Sequence, residues 1–199
     1  MPDTTILILA AGASRRMGGA DKLLAQIDGV PLLRRQALAA LATSAPVRVA
    51  LPLDRPARVA ALEGLAVEQV SVPDAALGLS ASLRAGVAGL AGSVMILPAD
   101  MPEIDTKMMA QILAKHSEMP GMILRGSAAE TPGHPVLFPA DLVSALRGLR
   151  GDTGARDLLR SHQARLRLVP LPGSAALTDL DTPEDWAEWR ARTGMRGET

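Results

Sequence analysis

Apolar and polar positions alternate in blocks that read as strand, then helix, from the amino end onward. Thr5 to Leu9 is an unbroken apolar run rich in β-formers, the pattern of a strand buried on both faces. Leu23 to Ile27 leads into Asp28-Gly29, a turn signal, and Pro31 stands where a helix starts. Leu32, Leu33, Gln36, Ala37 and Leu41 then recur at helical spacing, with Arg34 and Arg35 on the exposed side. Pro46 to Leu51 reads as a second strand, Arg55 to Leu62 as a short helix and Leu65 to Val72 as a third strand. After a loop over Pro73 to Gly78, Leu83, Val87 and Leu90 stripe another helix, and Ser93 to Leu97 is again a buried strand. Such alternation predicts a parallel, doubly wound sheet.

The second half is less regular. Asp105 is expected to cap a helix from Thr106 to His116, with Met108, Met109, Ile112 and Leu113 inward. His116 is expected at the surface, near the negative end of the helix dipole. Pro120 to Leu124 reads as a strand, and Arg125 to Pro132, small and polar, as a mobile flap. Gly133 to Phe138 is a short strand, Ala140 to Leu146 and Asp157 to Leu159 are helical, and Leu166 to Leu171 is a late strand. Thr182 as N-cap, Pro183 at the first helical position and Asp185 at the third open a last helix, whose Trp186 and Trp189 pack it on the body. No repeat or linker interrupts the chain; residues 1–199 are expected to form one domain, with 4–192 as its ordered core.

Composition narrows the functional classes. Twenty-one basic residues balance 21 acidic ones, so a general attraction to nucleic acid or anionic membrane is not expected. The aromatics are Phe138, Trp186 and Trp189 alone, too few for a single-strand stacking platform. Cysteine is absent, which excludes disulfides and thiolate metal sites and is compatible with the cytoplasm. No secretory signal or membrane span is expected.

The segment after the first strand carries the chemistry. Leu9-Ala10-Ala11-Gly12 through Arg15-Arg16-Met17-Gly18-Gly19 to Asp21-Lys22 is glycine-rich and basic. A glycine loop at the carboxyl end of a first parallel strand is where open α/β sheets bind phosphates, and Arg15, Arg16 and Lys22 add charge there. Neither the P-loop nor the dinucleotide fingerprint fits the spacing. The loop reads as a holder of a nucleoside triphosphate for transfer chemistry; the alternative is a turn with solvated arginines.

Four later positions invite weighing. Asp100 follows a central strand between Pro98 and Pro102, suited to Mg²⁺ shared with substrate phosphates, or else to capping a turn. Ser80 and Ser82 open a helix, as caps or as nucleotide contacts. His134, held between glycine and proline, is structural or substrate-binding. Gly151-Asp152-Thr153-Gly154-Ala155-Arg156 precedes a helix and reads as a second anion site, or as a loop stapled by an Asp152–Arg156 ion pair.

The first of these segments, Leu9-Ala10-Ala11-Gly12 with Arg16-Met17-Gly18 and Lys22, resembles the signature of the MobA-like nucleotidyltransferases, nearest to their molybdenum cofactor cytidylyltransferase branch. Later segments follow in the family's order from Ile6 to Trp186: Gly78, Ser82, Leu83 and Gly86; Leu97-Pro98-Ala99-Asp100-Met101-Pro102; Gly133-His134-Pro135 with Phe138; Gly151 to Arg156; and Asp179-Leu180-Asp181-Thr182-Pro183. The resemblance implies a three-layer α/β/α, Rossmann-like nucleotidyltransferase fold with a mostly parallel twisted sheet. It implies nucleotide contacts from Leu9, Ala10, Ala11, Gly12, Ser14, Arg15, Gly18 and Lys22, and from Ser80 or Ser82. It implies Mg²⁺ on Asp100 with Asp181, or in second place Asp179, and acceptor contacts from His134, Asp152 and Arg156.

The reaction so implied moves CMP from CTP to the phosphate of a molybdopterin-type cofactor and releases pyrophosphate, with Arg16, Lys22 and Asp100 as catalytic residues. The Ala11-Gly12 pair favours cytidine, because the guanylyl branch carries two glycines there. Met101 departs from the glutamine usual in the cytidylyl branch, and the stretch from Arg16 to Lys22 suits the guanylyl branch equally. GTP, or a sugar or other small-molecule phosphate as acceptor, therefore stays open. So does a non-catalytic protein that delivers the cofactor to a molybdenum hydroxylase.

Overall fold

The computed structural model describes residues 4–14, 16–17, 20–151 and 154–195. The first apolar run forms β1 (Thr4–Leu9), and the turn signal behind it closes a hairpin of β2 (Gln26–Ile27) and β3 (Val30–Pro31). Asp28 and Gly29 both have positive φ, 51° and 78°, as a two-residue hairpin turn requires. There follow α1 (Leu32–Leu41), β4 (Val47–Pro52), α2 (Pro56–Ala61), β5 (Glu68–Val72), α3 (Leu79–Gly86) and β6 (Ser93–Pro98). The second half holds α4 (Thr106–Glu118), β7 (Ile123–Ala128), β8 (Thr131–Phe138), α5 (Ala140–Arg147), α6 (Arg156–Ser161), β9 (Leu166–Pro170) and α7 (Pro183–Thr193).

Seven strands make one sheet in the order β5-β4-β1-β6-β8-β7-β9. The β4, β5 and β6 strands run parallel to β1, β9 runs parallel to β7, and β8 is antiparallel to both its neighbours. Alternation along β1 separates two cores. Ile6 and Ile8 face the apolar sides of α1, α4 and α7, including Leu33, Met109, Ile112 and Trp186. Leu7 faces α3 and α5, through Leu83, Val87, Val143 and Leu146. This is the three-layer α/β/α arrangement expected of the chain. Because β1 has β4 on one side and β6 on the other, a crevice opens beyond its carboxyl end, the switch point where open α/β sheets bind ligands.

Two expectations are corrected in the second half. The segment Arg125 to Pro132 is no flap: it is the β7–β8 hairpin, inside the sheet between β6 and β9. Its small residues serve close packing, since a Cβ on Gly126 would stand 2.5 Å from the His134 carbonyl oxygen. His116 is not at the surface. It is buried, and its Nε2 hydrogen-bonds the Ser93 hydroxyl at 2.9 Å, tying α4 to the start of β6.

The carboxyl-terminal segment is drawn back across the sheet to the crevice. His134 N–H donates to the Ala176 carbonyl at 2.8 Å, and Leu180 N–H to the Asp100 carbonyl at 3.0 Å. Directly after, the Thr182 hydroxyl accepts from Asp185 N–H while the Asp185 carboxylate accepts from Thr182 N–H, the capping box that the sequence announces. Trp186 and Trp189 meet edge to face and bury the helix on the body. No helix among the described residues is long and apolar enough to cross a membrane.

Candidate active site

A cleft of about 970 Å³ lies at the switch point, a size suited to a nucleotide with part of a second substrate. Its floor is the carboxyl end of β1 and the loop behind it, where Leu9, Ala11, Gly12 and Ser14 line the wall. Ala10 lies one step beneath, fully buried and outside the lining. Arg15, Gly18 and Asp152 fall outside the described residues, and with Asp152 the expected Asp152–Arg156 pair.

Four charges from three distant segments meet at one corner. Lys22 Nζ donates to Asp100 Oδ2 and to Asp181 Oδ1, both at 2.5 Å. Arg16 reaches the other Asp181 oxygen, Nη2 to Oδ2, at 2.7 Å. The loop after β1 brings the cations, the end of β6 brings Asp100, and the turn before α7 brings Asp181, positioned by the Leu180–Asp100 backbone bond. Burial would lower the pKa of Lys22, but Asp100 and Asp181 together outweigh it and raise it. The ammonium therefore stays charged. Asp100 is thus held in the cleft as the ion-pair partner of Lys22.

The same pair suits a divalent cation. Asp100 Oδ1 is buried without a hydrogen-bond partner and is free to take a ligand. Mg²⁺ needs only one or two protein carboxylates when substrate phosphates and water complete its shell. Asp100 and Asp181 are a pair that could supply them. Asp179, the second choice as a ligand, lines a small groove beside Asp185, Glu188 and Trp189 and is not part of the cleft lining. Among the described residues, no three acidic or histidine side chains converge as a metal cage. Burial, then the nearby charges of Asp100 and Asp181, raise the Asp179 pKa.

The far wall of the cleft carries the other expected residues. Ser82 lines it, whereas Ser80 is fully buried, does not reach the cleft and leaves its hydroxyl unpartnered. Neither serine caps α3, whose N-cap is Gly78. His134 and Arg156 both line the cleft, joined by Arg125 from β7. Burial and then the Arg125 charge push the His134 pKa down to about 4. The imidazole is thus neutral at pH 7, a hydrogen-bonding group rather than a cation. Burial and the Arg156 charge lower the Arg125 pKa as well. Two guanidiniums on this wall suit an anion.

Sequence reading missed Arg125 and, above all, Arg58. Arg58 stands on α2 with its side chain fully buried. Its Nη1 donates to the carbonyls of Ala10 at 2.5 Å and Gly12 at 2.8 Å. Its Nη2 reaches Ser14 Oγ at 3.0 Å, and Nε and Nη2 grip both Asp21 oxygens at 2.7 and 2.8 Å. That salt bridge more than offsets burial and lowers the Asp21 pKa. A lone arginine on a six-residue helix gives no sign in the sequence that it turns inward.

Comparison with known proteins agrees with this geometry. Residues 6–166 match the family model of the MobA-like NTP transferase domain. The probable molybdenum cofactor guanylyltransferase of Natronomonas pharaonis is 29% identical over 96% of this chain and 99% of its own. The molybdenum cofactor guanylyltransferase of Serratia proteamaculans is 28% identical over 98% of each. Among solved structures, the homologue of Mycobacterium tuberculosis Rv0371c from Mycobacterium sp. strain JC1 superposes with a TM-score of 0.83 at 26% identity, covering 96% of both chains. The matched span takes in β1, the glycine loop, Asp100 and the far wall of the cleft, and on these grounds the chain belongs to the MobA-like NTP transferase family of nucleotidyltransferases.

Proposed function

We propose that this protein transfers a nucleoside monophosphate, CMP in the first place, from its triphosphate to the terminal phosphate of a molybdopterin-type acceptor. The observation that carries the reading is the corner where Lys22 and Arg16 meet Asp100 and Asp181 beside the glycine loop. An acceptor phosphate oxygen attacks the α-phosphorus, the bond from α-phosphorus to the bridging oxygen breaks, and pyrophosphate leaves with the electron pair. The acceptor phosphate is already ionised at pH 7, so the step needs no general base. Charge neutralisation and in-line placement do the work.

Each residue then has a task. The loop around Gly12 cradles the triphosphate, and Lys22 and Arg16 balance the charge that grows on the departing pyrophosphate. Asp100 and Asp181 would hold Mg²⁺, which when bound neutralises phosphate charge. Arg125 and Arg156 face the acceptor phosphate, with neutral His134 as a hydrogen-bonding partner. The preference for CTP rests on Ala11, a residue of the cleft lining that stands where the guanylyl branch has glycine. The names of the two full-length relatives favour the second reading, GMP transfer from GTP. The single-domain and cytoplasmic readings accompany both, and a molybdenum hydroxylase is the proposed recipient of the product.

The test is pyrophosphate release with CTP or GTP, Mg²⁺ and a molybdopterin acceptor. Release with CTP that requires the acceptor and disappears in Asp100→Asn supports the first reading. Release with GTP alone moves the protein to the guanylyl reaction. Binding of acceptor without release from any nucleotide favours cofactor delivery instead.

A further inference from the structure

The Arg58 side chain spends all three nitrogens on the two ends of one loop. On the entry side it takes the carbonyls of Ala10 and Gly12 and the Ser14 hydroxyl; on the exit side it takes both oxygens of Asp21, the residue before Lys22. Ser14 Oγ also donates to Asp21 Oδ1 at 3.3 Å, and Asp21 Oδ1 accepts from Leu23 N–H at 3.1 Å. A ring of hydrogen bonds thereby closes around the base of the glycine loop, with a buried guanidinium at its centre.

The polarity of that ring matters. In a trans peptide the N–H points opposite to the carbonyl. Holding the Ala10 and Gly12 oxygens on Arg58 turns the N–H groups of Ala11 and Ala13 the other way, and both residues line the cleft. Amides of one loop turned to the same side, even at alternate residues, add their positive dipole ends there and favour an anion. Ser14, at φ 50°, takes a left-handed backbone just after these two residues. A guanidinium is suited to this task because its planar fork grips a carboxylate with two bonds and still spares donors, which an ammonium cannot do.

We propose that Arg58 is a positioning residue for the triphosphate: through Asp21, Ala10 and Gly12 it fixes the loop with its amides toward the nucleotide phosphates and Lys22 at the corner. The inference rests on the reading that this loop holds a nucleoside triphosphate. Arg58 itself never touches the ligand. Its effect must therefore scale with the number of phosphates that the loop engages, and not with the base.

The experiment compares equilibrium binding of CTP and CMP, and of GTP and GMP, to wild type, Arg58→Lys, Arg58→Gln and Asp21→Asn. Melting curves identify the variants that fold. Wild type is expected to prefer triphosphate to monophosphate. Arg58→Lys keeps the charge and loses the fork; it and Asp21→Asn are expected to lose at least tenfold of that preference while the monophosphate affinity changes little. Asp21→Asn serves should both Arg58 variants fail to fold. An equal loss for mono- and triphosphate, or a preference left intact, overturns the role of Arg58 and leaves the function untouched. A wild type with no triphosphate preference overturns the reading of the loop itself, and the role of Arg58 with it.

Discussion

Lys22 is the residue on which the corner turns. Replacing it by methionine keeps the length of the side chain and removes the cation, leaving Asp100 and Asp181 to face each other. Turnover in pyrophosphate release is expected to fall on the order of 10²–10³-fold, the usual effect of deleting one preorganised charge partner, with a native circular dichroism spectrum; unchanged turnover contradicts the assignment. Ala11→Gly opens the cleft wall at the base and is expected to raise the GTP-to-CTP ratio of kcat/KM. The histidines give a pH signature. His134 titrates near 6.5 when unfolded and about 4 when folded, so the unfolded chain binds the proton first. Stability is full above pH 6.5 and is lost as pH falls toward 4; the buried His116, lowered in the same direction, adds to the loss. The lowered carboxylates Asp21, Asp141 and Asp185 lose stability only below their ordinary values near 3.8, outside this window. Urea unfolding at pH 5 is expected to give roughly 2 kcal/mol less than at pH 7.5 from His134 alone, and His134→Asn to flatten that slope.

At the scale of elements, the site depends on a carboxyl-terminal segment pinned across β8. A Cβ on Gly133 would lie 1.9 Å from the Ala176 carbonyl oxygen, a backbone atom with no room to yield. Gly133→Ala is therefore expected to displace the turn at Ser174–Leu177, to lower the melting temperature and to weaken nucleotide-dependent Mg²⁺ binding through Asp181. A Tm within a degree of wild type contradicts that account of the turn. Thr182→Ala removes one half of the capping box and should cost about 1 kcal/mol. These elements also show what the sequence reveals. The strand β1 and its loop were readable because six residues of β-forming type end in glycine and basic residues. The cap at Thr182 was readable because capping is local. The β7–β8 hairpin was not: Gly126, Pro132 and Gly133 look like loop punctuation, and only the neighbouring strand explains why no side chain fits there.

On the scale of the molecule, the sheet order is what makes one site out of remote segments. Arg16, Lys22, Asp100 and Asp181 meet only because β6 lies beside β1 and because the chain returns over β8 to place Asp181. The family motif points to Lys22 and Asp100, and the two-carboxylate corner confirms that they stand together. Asp181 was legible as one of two candidates; the structure puts Asp181 in the ion-pair corner and Asp179 in the neighbouring groove. Arg58 was not legible, because a buried guanidinium on a short helix depends on partners more than thirty residues away. The central claim is that this cleft moves a nucleotidyl group. It is tested most directly by supplying Mg²⁺, a molybdopterin acceptor and CTP or GTP labelled in one experiment at the α-phosphate and in another at the γ-phosphate. The account predicts that the α label appears on the acceptor and the γ label in pyrophosphate. A γ label on the acceptor, or no transfer of either label from any nucleotide, contradicts it.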